Sequence, residues 1–285
     1  MNVSEKIMRA TGLLVIEAVN SNPNGDPDRE SDPRQRPDGK GEISPVSFKR
    51  KLRDLVEDKD GPVWLEMKQR FELDDSNFAI LESRGRNRKE IEKELKDGSF
   101  TRKYWDARLF GNTFLEDAMD KGTIKTGVAQ FGMGVSIAPI EVIRHTNTNK
   151  AGVEEGKSAG MAPLAYRVVV HGVYCMPFFI NPSMAGKSAC TPLDIALMKA
   201  LIPYAYPHTR SAIRPFVDIR QAWYCEHANP LGSCSDFSLL DALTPRRKGD
   251  PECPSTSWKA DYDFVNELPA GLKEKVNCVD LMVNL

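Results

Sequence analysis

A β-rich apolar run, Ala10 to Asn20, stops abruptly at Ser21-Asn22-Pro23-Asn24-Gly25-Asp26-Pro27-Asp28, where nearly every residue is a turn former. A chain written this way opens with a strand that feeds a structured loop. After a polar stretch from Arg29 to Gly41, Ser44 is placed to cap a helix whose first residue is Pro45, and Phe48, Leu52 and Leu55 recur at helical spacing as its buried stripe. Ile124 to Ile143 is strand-like but punctuated by Gly127, Gly132 and Gly134, a sign of close backbone approach. Tyr166 to Ile180 reads as a strand. Thr191 and Pro192 open a second helix through Ile195, Leu197, Met198 and Leu201, and Gln221 to Cys225 resumes as a strand.

The order strand, helix, strand, strand, helix, strand predicts an α+β fold with the split β-α-β arrangement of ferredoxin-like and RRM domains. Insertions interrupt it. Residues 61–104 alternate Arg84, Arg86, Arg88, Lys89, Lys93, Lys96, Arg102 and Lys103 with Glu90, Glu92, Glu94 and Asp97, as a helical insertion with a solvated face does. Trp105 to Met119 is a further amphipathic stretch. Residues 145–163 form a polar, glycine-rich excursion between two apolar β runs, which reads as a hairpin. The tail from Ser235 to Leu285 is mixed, with a short helix expected around Asp263 to Val276. No internal repeat divides the chain, so residues 1–285 are taken as one domain with insertions.

Lys and Arg number 39 against 40 Asp and Glu, a net charge of -1, so no bulk positive field holds nucleic acid and any such role rests on local patches. The most apolar windows, Leu13 to Val19 and Val168 to Ile180, are broken by Glu17 and His171 and fall short of the roughly 20 residues of a membrane helix. The first apolar run is also too short for a signal-peptide core, which places the protein in the cytoplasm. Cys175, Cys190, Cys225, Cys234, Cys253 and Cys278 show no C-x-x-C spacing and are expected as free thiols.

The loop places Asn20, Asn22, Asn24, Gly25 and Asp28 in an EF-hand-like pattern, but Ser31 stands where a bidentate Glu is needed, and a strand precedes it. The remaining readings are ordinary turn residues or a backbone concavity that receives a sugar or phosphate. On the helix from Pro45, Lys49 and Arg53 lie one turn apart with Arg50 and Lys51 diverging, either a solvated face or a phosphate-facing edge. Arg210, Arg214 and Arg220 make a second basic strip. Cys225, His227, Cys234 and Cys253 are too irregularly spaced for structural zinc. Asp26, Asp28 and Asp32 could hold a metal, with His145 or His171 as base, yet nothing sets nucleophile, base and orienting group in a recognisable order. P-loop, dinucleotide and G-x-S-x-G signatures are missing, so no cofactor is expected.

Taken in order, the Ser21 to Asp28 loop, Phe48-Lys49-Arg50-Lys51-Leu52-Arg53-Asp54, Trp105-Asp106-Ala107-Arg108-Leu109-Phe110-Gly111, Gly127-Val128-Ala129-Gln130 with Ser136-Ile137, His171-Gly172-Val173-Tyr174 and Arg210-Ser211-Ala212-Ile213-Arg214 resemble one family. It is the CRISPR-associated backbone subunit of type I Cascade, and the chain looks closest to the type I-C branch. The resemblance implies an RRM-like palm, a finger-like helical insertion at 61–104 and a thumb at 145–163. Copies would polymerise head-to-tail along a CRISPR RNA, with other Cascade subunits, and present it to target DNA without catalysis. It implies RNA contacts at Asn22, Asn24, Lys49, Arg50, Arg53 and Gln130, with Arg210 and Arg214, and a wedge at Met161. Lys125 to Gln130 departs from the family, where a basic residue and a proline are common. Two rival readings are a metal-dependent ribonuclease of the related type III kind, using Asp26 or Asp28, and a protein-only scaffold.

Overall fold

A computed structural model describes residues 6–83, 88–112, 126–149 and 162–283. Its main sheet contains β1 (Ala10–Ser21), β2 (Lys40–Ile43), β3 (Ala129–Phe131), β4 (Gly134–Pro139), β5 (Val142–Asn149), β6 (Ala162–Ile180), β7 (Val217–His227) and β8 (Val276–Asp280). They run in the order β8-β7-β1-β6-β4-β2, with β3 and β5 also pairing β6, and every pairing is antiparallel. The main helices are α1 (Pro45–Glu57), α2 (Pro62–Phe71), α3 (Arg88–Asp97), α4 (Trp105–Phe110), α5 (Pro192–Leu201) and α6 (Asp236–Leu243).

Local chemistry sets the helix starts as expected. The Ser44 hydroxyl accepts from the Ser47 amide at 3.2 Å, and Pro45 opens α1. Thr191 and Asp194 form a reciprocal capping box ahead of α5. Strand alternation then distributes side chains to two faces. Leu14, Ile16, Met176, Phe178 and Tyr224 face Phe48, Leu52, Ile195 and Leu201 of the helices. Their neighbours Leu13, Val15, Val173, Trp223 and Cys225 face Leu239, Leu243, Trp258 and Tyr262 of the tail. Burial on both faces explains why the strand sequences read as nearly continuous apolar runs.

The tail is more ordered than its mixed composition predicts. It supplies α6 and the edge strand β8, while the expected helix near 263–276 is the single turn Ala270–Lys273. Cys225 and Cys278 are opposite partners on β7 and β8 and form a disulfide, where free thiols were expected; strand register across 53 residues brings them together, which spacing cannot show. The helix that opens the expected amphipathic stretch at Trp105 ends at Phe110, where Gly111 turns out at φ 82°, and the stretch from Thr113 to Met119 lies outside the described residues. Gly127 lies so close to the Gly111 backbone that a Cβ would collide with it, the close approach its strand position predicts. Within 61–104, Val63, Trp64 and Met67 of α2 join the main core, whereas Ile91 of α3 packs with Leu81, Phe100, Tyr104 and Ala107 in a small cluster. No helix among the described residues is long and apolar enough to cross a membrane.

Glu17 and His171, which interrupt the two apolar runs, are partners. His171 Nε2 lies 2.9 Å from Glu17 Oε1 and its Nδ1 is 2.8 Å from Ser255 Oγ. Arg220 also donates to Glu17, as does the Trp258 amide at 3.3 Å. Burial raises the Glu17 carboxyl, but the His171 and Arg220 hydrogen bonds outweigh it and hold the group below its ordinary 4.5. The carboxylate thus fastens residues 255–258 to the sheet. Its stabilisation is present above pH 4.5 and lost as pH falls through the lowered native value. Glu17→Gln should cost about 2–3 kcal/mol at pH 7 and flatten the acid limb of stability, measured by urea melts across pH. Equal acid limbs in both proteins would contradict this role.

Candidate nucleic-acid interface

The loop after β1 is a small hairpin, Gly25–Asp26 against Asp32–Pro33, and the two asparagines hold it. Asn22 Nδ2 donates to the Ser31 carbonyl at 2.7 Å. Asn24 Nδ2 donates to the Gly25 carbonyl at 2.8 Å, while its Oδ1 accepts from the Ser44 amide at 2.7 Å, tying the loop to the N-cap of α1. Arg214 Nε donates to the Asn22 carbonyl at 2.8 Å, and the Asn22 amide donates to the Ile213 carbonyl at 2.8 Å. The first loop, the start of α1 and the 210–214 segment therefore meet at one end of β1.

The basic residues of α1 divide by their partners. Arg50 lies on the outer face and is engaged by Asp54, Glu57 and the Glu82 carbonyl. Arg53 is buried, and its Nε donates to Asp106 at 2.8 Å. Lys49 and Lys51 have no such carboxylate. Lys49 Nζ stands 5.3 Å above the Phe110 ring and makes no hydrogen bond or ion pair with a described residue. Lys51 Nζ donates to Thr209 Oγ1 at 3.0 Å and stands over Tyr206. Burial, then the charge of Arg53, lowers Lys49 to about 8. Burial, then Arg214, lowers Lys51 to about 8 against a weaker pull from Asp54.

Gln130 is half-buried on β3, with Nε2 donating to the Gly127 carbonyl at 3.1 Å. Its neighbour Phe131 packs on Phe110, and strand alternation turns Gln130 to the opposite face of β3. Arg210 is exposed and forms no ion pair with a described residue. Met161 lies outside the described residues; the strands leading to it do not. β5 pairs with Ala162 to Val169, and β1 reaches β6 only from Val169 onward, so the root of the hairpin projects beyond the sheet. Sequence reading singled out Asn22, Asn24, Lys49, Arg50, Arg53, Gln130, Arg210 and Arg214 but undervalued Lys51, whose partner Thr209 is 158 residues away.

As an acid–base property, the low value of Lys49 has a definite sign. The native lysine loses its proton near pH 8 while the unfolded one keeps it to 10.5, so this group makes stability rise with pH between those values. A polyanion against Lys49 reverses the shift and takes up protons. The affinity for single-stranded RNA should therefore fall more steeply from pH 7 to 9 in the native protein than in Lys49→Arg, read by fluorescence anisotropy. Parallel pH profiles would remove Lys49 from the interface.

Many solved chains resemble this one. The first, from a "CRISPR RNA-guided surveillance complex, pre-nicking", shares 14% identity over 76% of this chain and 75% of its own, with a TM-score of 0.47. A second, from a "CRISPR RNA-guided surveillance complex", shares 12% over 81% of this chain and 75% of its own, with a TM-score of 0.41. A chain of the type III-B Cmr-beta complex bound to cognate target RNA shares 11% over 77% of this chain and 61% of its own, also at 0.41. No curated protein matches the chain. The sequence profile of CRISPR-associated protein Cas7 matches residues 8–266, nearly the whole length, and the chain belongs to that family.

Proposed function

We propose that the protein is a CRISPR RNA-binding backbone subunit of a type I Cascade surveillance complex, of the type I-C branch. It grips the guide by sugars and phosphates and leaves the bases free to pair with target DNA. The observation that carries this reading is the convergence of Lys51, Arg210 and Arg214, which lack carboxylate partners among the described residues, around a loop braced by Asn22 and Asn24, with Lys49 likewise unpaired among those residues on the other flank of α1. Such a surface fits an extended polyanion of any sequence. Arg50 and Arg53 contribute mainly by holding α1 in place, and Gln130 adds a polar contact from β3.

The lateral order β7-β1-β6-β4 is fourth, first, third, second among the strands of a split β-α-β unit, which supports an RRM-like palm. An RRM stacks bases on its open sheet face, but here the tail covers that face with Leu239, Leu243 and Trp258. The RNA is accordingly directed to the loop end of the sheet. Residues 61–104 serve as the finger-like part and 145–163 as the thumb, with Met161 of the thumb as a wedge between bases. Copies stack head-to-tail along the guide in the cytoplasm, alongside other Cascade subunits, an open heterologous arrangement that a near-zero net charge does not oppose. Asp26 Oδ1 is occupied in capping its own turn at the Asp28 amide, 3.2 Å away, a structural task that favours binding over cleavage.

Coexpression with a CRISPR array should yield RNA-loaded multimers. Replacing both Lys49 and Arg210 by Glu should weaken guide binding independently of sequence and flatten the plot of log affinity against log salt by about 1.4, twice the single-strand contribution per phosphate. A nucleic-acid-free monomer from the native chain, or magnesium-dependent cutting of complementary RNA, would overturn the reading. Met161→Asp should leave the melting temperature unchanged and reduce target-DNA binding; early melting in RNA-free protein would instead make Met161 a core residue.

A further inference from the structure

The tail is held on the sheet by a covalent bond as well as by packing. Cys225 of β7 and Cys278 of β8 stand directly opposite and are joined as a disulfide, 53 residues apart in the chain. The loop they close contains α6, Trp258 and Tyr262, which cover the second face of the sheet. β8 is the outermost strand, paired among the described residues with β7 alone. The two sulfurs therefore differ in access: Cys225 is fully buried, whereas Cys278 is half-buried on the free edge. A disulfide reachable from an exposed edge is of the kind that small thiols reduce, unlike one sealed in a core.

Opening the bond does not part the two residues. The Ala222 amide donates to Asp280 Oδ1 at 2.8 Å, and the Leu281 amide to the Ala222 carbonyl at 2.9 Å, just beyond Cys278. On the other side Ser233 Oγ donates to the Lys275 carbonyl at 2.5 Å, and the Ser233 amide to His227 Nδ1 at 3.0 Å. Leu239, Leu243 and Trp258 add an apolar hold on Leu13, Val15 and Trp223. A dithiol form thus keeps its sulfurs face to face, ready to close again. The four remaining cysteines compete poorly. Burial raises the Cys175 thiol to about 12 and raises Cys190 and Cys234 as well, and a hydrogen bond to Asp250 raises Cys253. All four are short of the thiolate that exchange requires.

We infer that Cys225 and Cys278 form a reversible redox clasp, which exchanges with a glutathione-type disulfide and sets how readily the end of the tail opens from the sheet. In closing, the Cys278 thiol gives its proton to water and the thiolate attacks one sulfur of oxidised glutathione, whose S–S bond breaks and releases one glutathione thiolate. The Cys225 thiolate then attacks the Cys278 sulfur of the mixed disulfide and releases the second. Two cysteine thiols lose two electrons and two protons, and one glutathione disulfide takes them up as two thiols. Excess reduced glutathione runs the same steps backwards. The closed form locks β8 in register; the open form lets β8 and the residues after it fray. The inference is independent of the RNA-binding reading.

The test equilibrates the purified full chain at set ratios of reduced to oxidised glutathione, quenches in acid, and alkylates the denatured protein for mass spectrometry. Six alkylated cysteines per chain are expected at the reducing end and four at the oxidising end, with Cys225 and Cys278 the pair that disappears. Amide hydrogen exchange over 276–282 should be at least about tenfold faster in the reduced form, a conservative share of what one cross-link contributes, while α1 exchanges alike in both. Cys278→Ser should exchange like the reduced form in either buffer, and Cys234→Ser should titrate as the native chain does. Circular dichroism checks the fold of Cys278→Ser; if it is lost, the native titration and exchange decide. Six alkylated cysteines at every ratio would show that the pair never closes, and four even in excess reduced glutathione would make the bond permanent. Either result overturns the clasp, as does a bond that Cys234→Ser abolishes or equal exchange over 276–282 in the two forms.

Discussion

Asp106 carries a carboxylate into the interior, and the position of α1 depends on how it is satisfied. Its Oδ1 accepts from the Leu81 amide at 2.7 Å, and its Oδ2 from Arg53 Nε at 2.8 Å and the Glu82 amide at 3.1 Å. Two residues on, Arg108 reaches Asp194 at the start of α5 and the carbonyls of Asn77, Thr101 and Arg102. All six residues of α4 are buried, so this short helix is an internal peg joined by charge to α1 on one side and α5 on the other. Removing one member of such a pair typically costs about 3–5 kcal/mol, because the survivor is left charged and dry. Packing alone would let α1 slide or rotate; a fixed guanidinium–carboxylate geometry does not.

The consequence for function lies in which cations are left over. Arg50, Arg53 and Arg108 spend their donors on carboxylates and carbonyls of the fold. Lys49 and Lys51, on opposite flanks of α1, rest on aromatic rings with lowered proton affinity. A basic surface of this kind is selective: the total charge stays near zero while one end of the sheet remains short of anions.

The tail shapes the same outcome from the other side. By burying Leu13, Val15, Val173 and Trp223, it converts a sheet that could have presented an open face into the middle layer of three. The Glu17–His171–Ser255 chain and the hydrogen bonds of Asp236 with Arg9 and Thr11 add polar fastening to that apolar contact. A ligand is then left the loops and the projecting hairpin.

The sequence by itself determined what neighbouring residues decide between themselves. Ser44 with Pro45 and Thr191 with Pro192 start helices because capping acts over three residues, and apolar runs make strands because alternation acts over two. From those alone the order of the core elements was legible, as were the loop asparagines and the basic helix that follows. Tertiary structure decided everything that depends on register between distant strands. It set Arg53 against Asp106, engaged Arg50 but left Lys49 without an ion pair among the described residues, joined Cys225 to Cys278, and folded the tail onto the second face. It also placed Arg144 opposite Arg167 and Asp32 against Arg167. A charge in a sequence has no partner until a fold supplies one, and the same arginine is structural or ligand-seeking according to which carboxylate the register brings within about 3 Å.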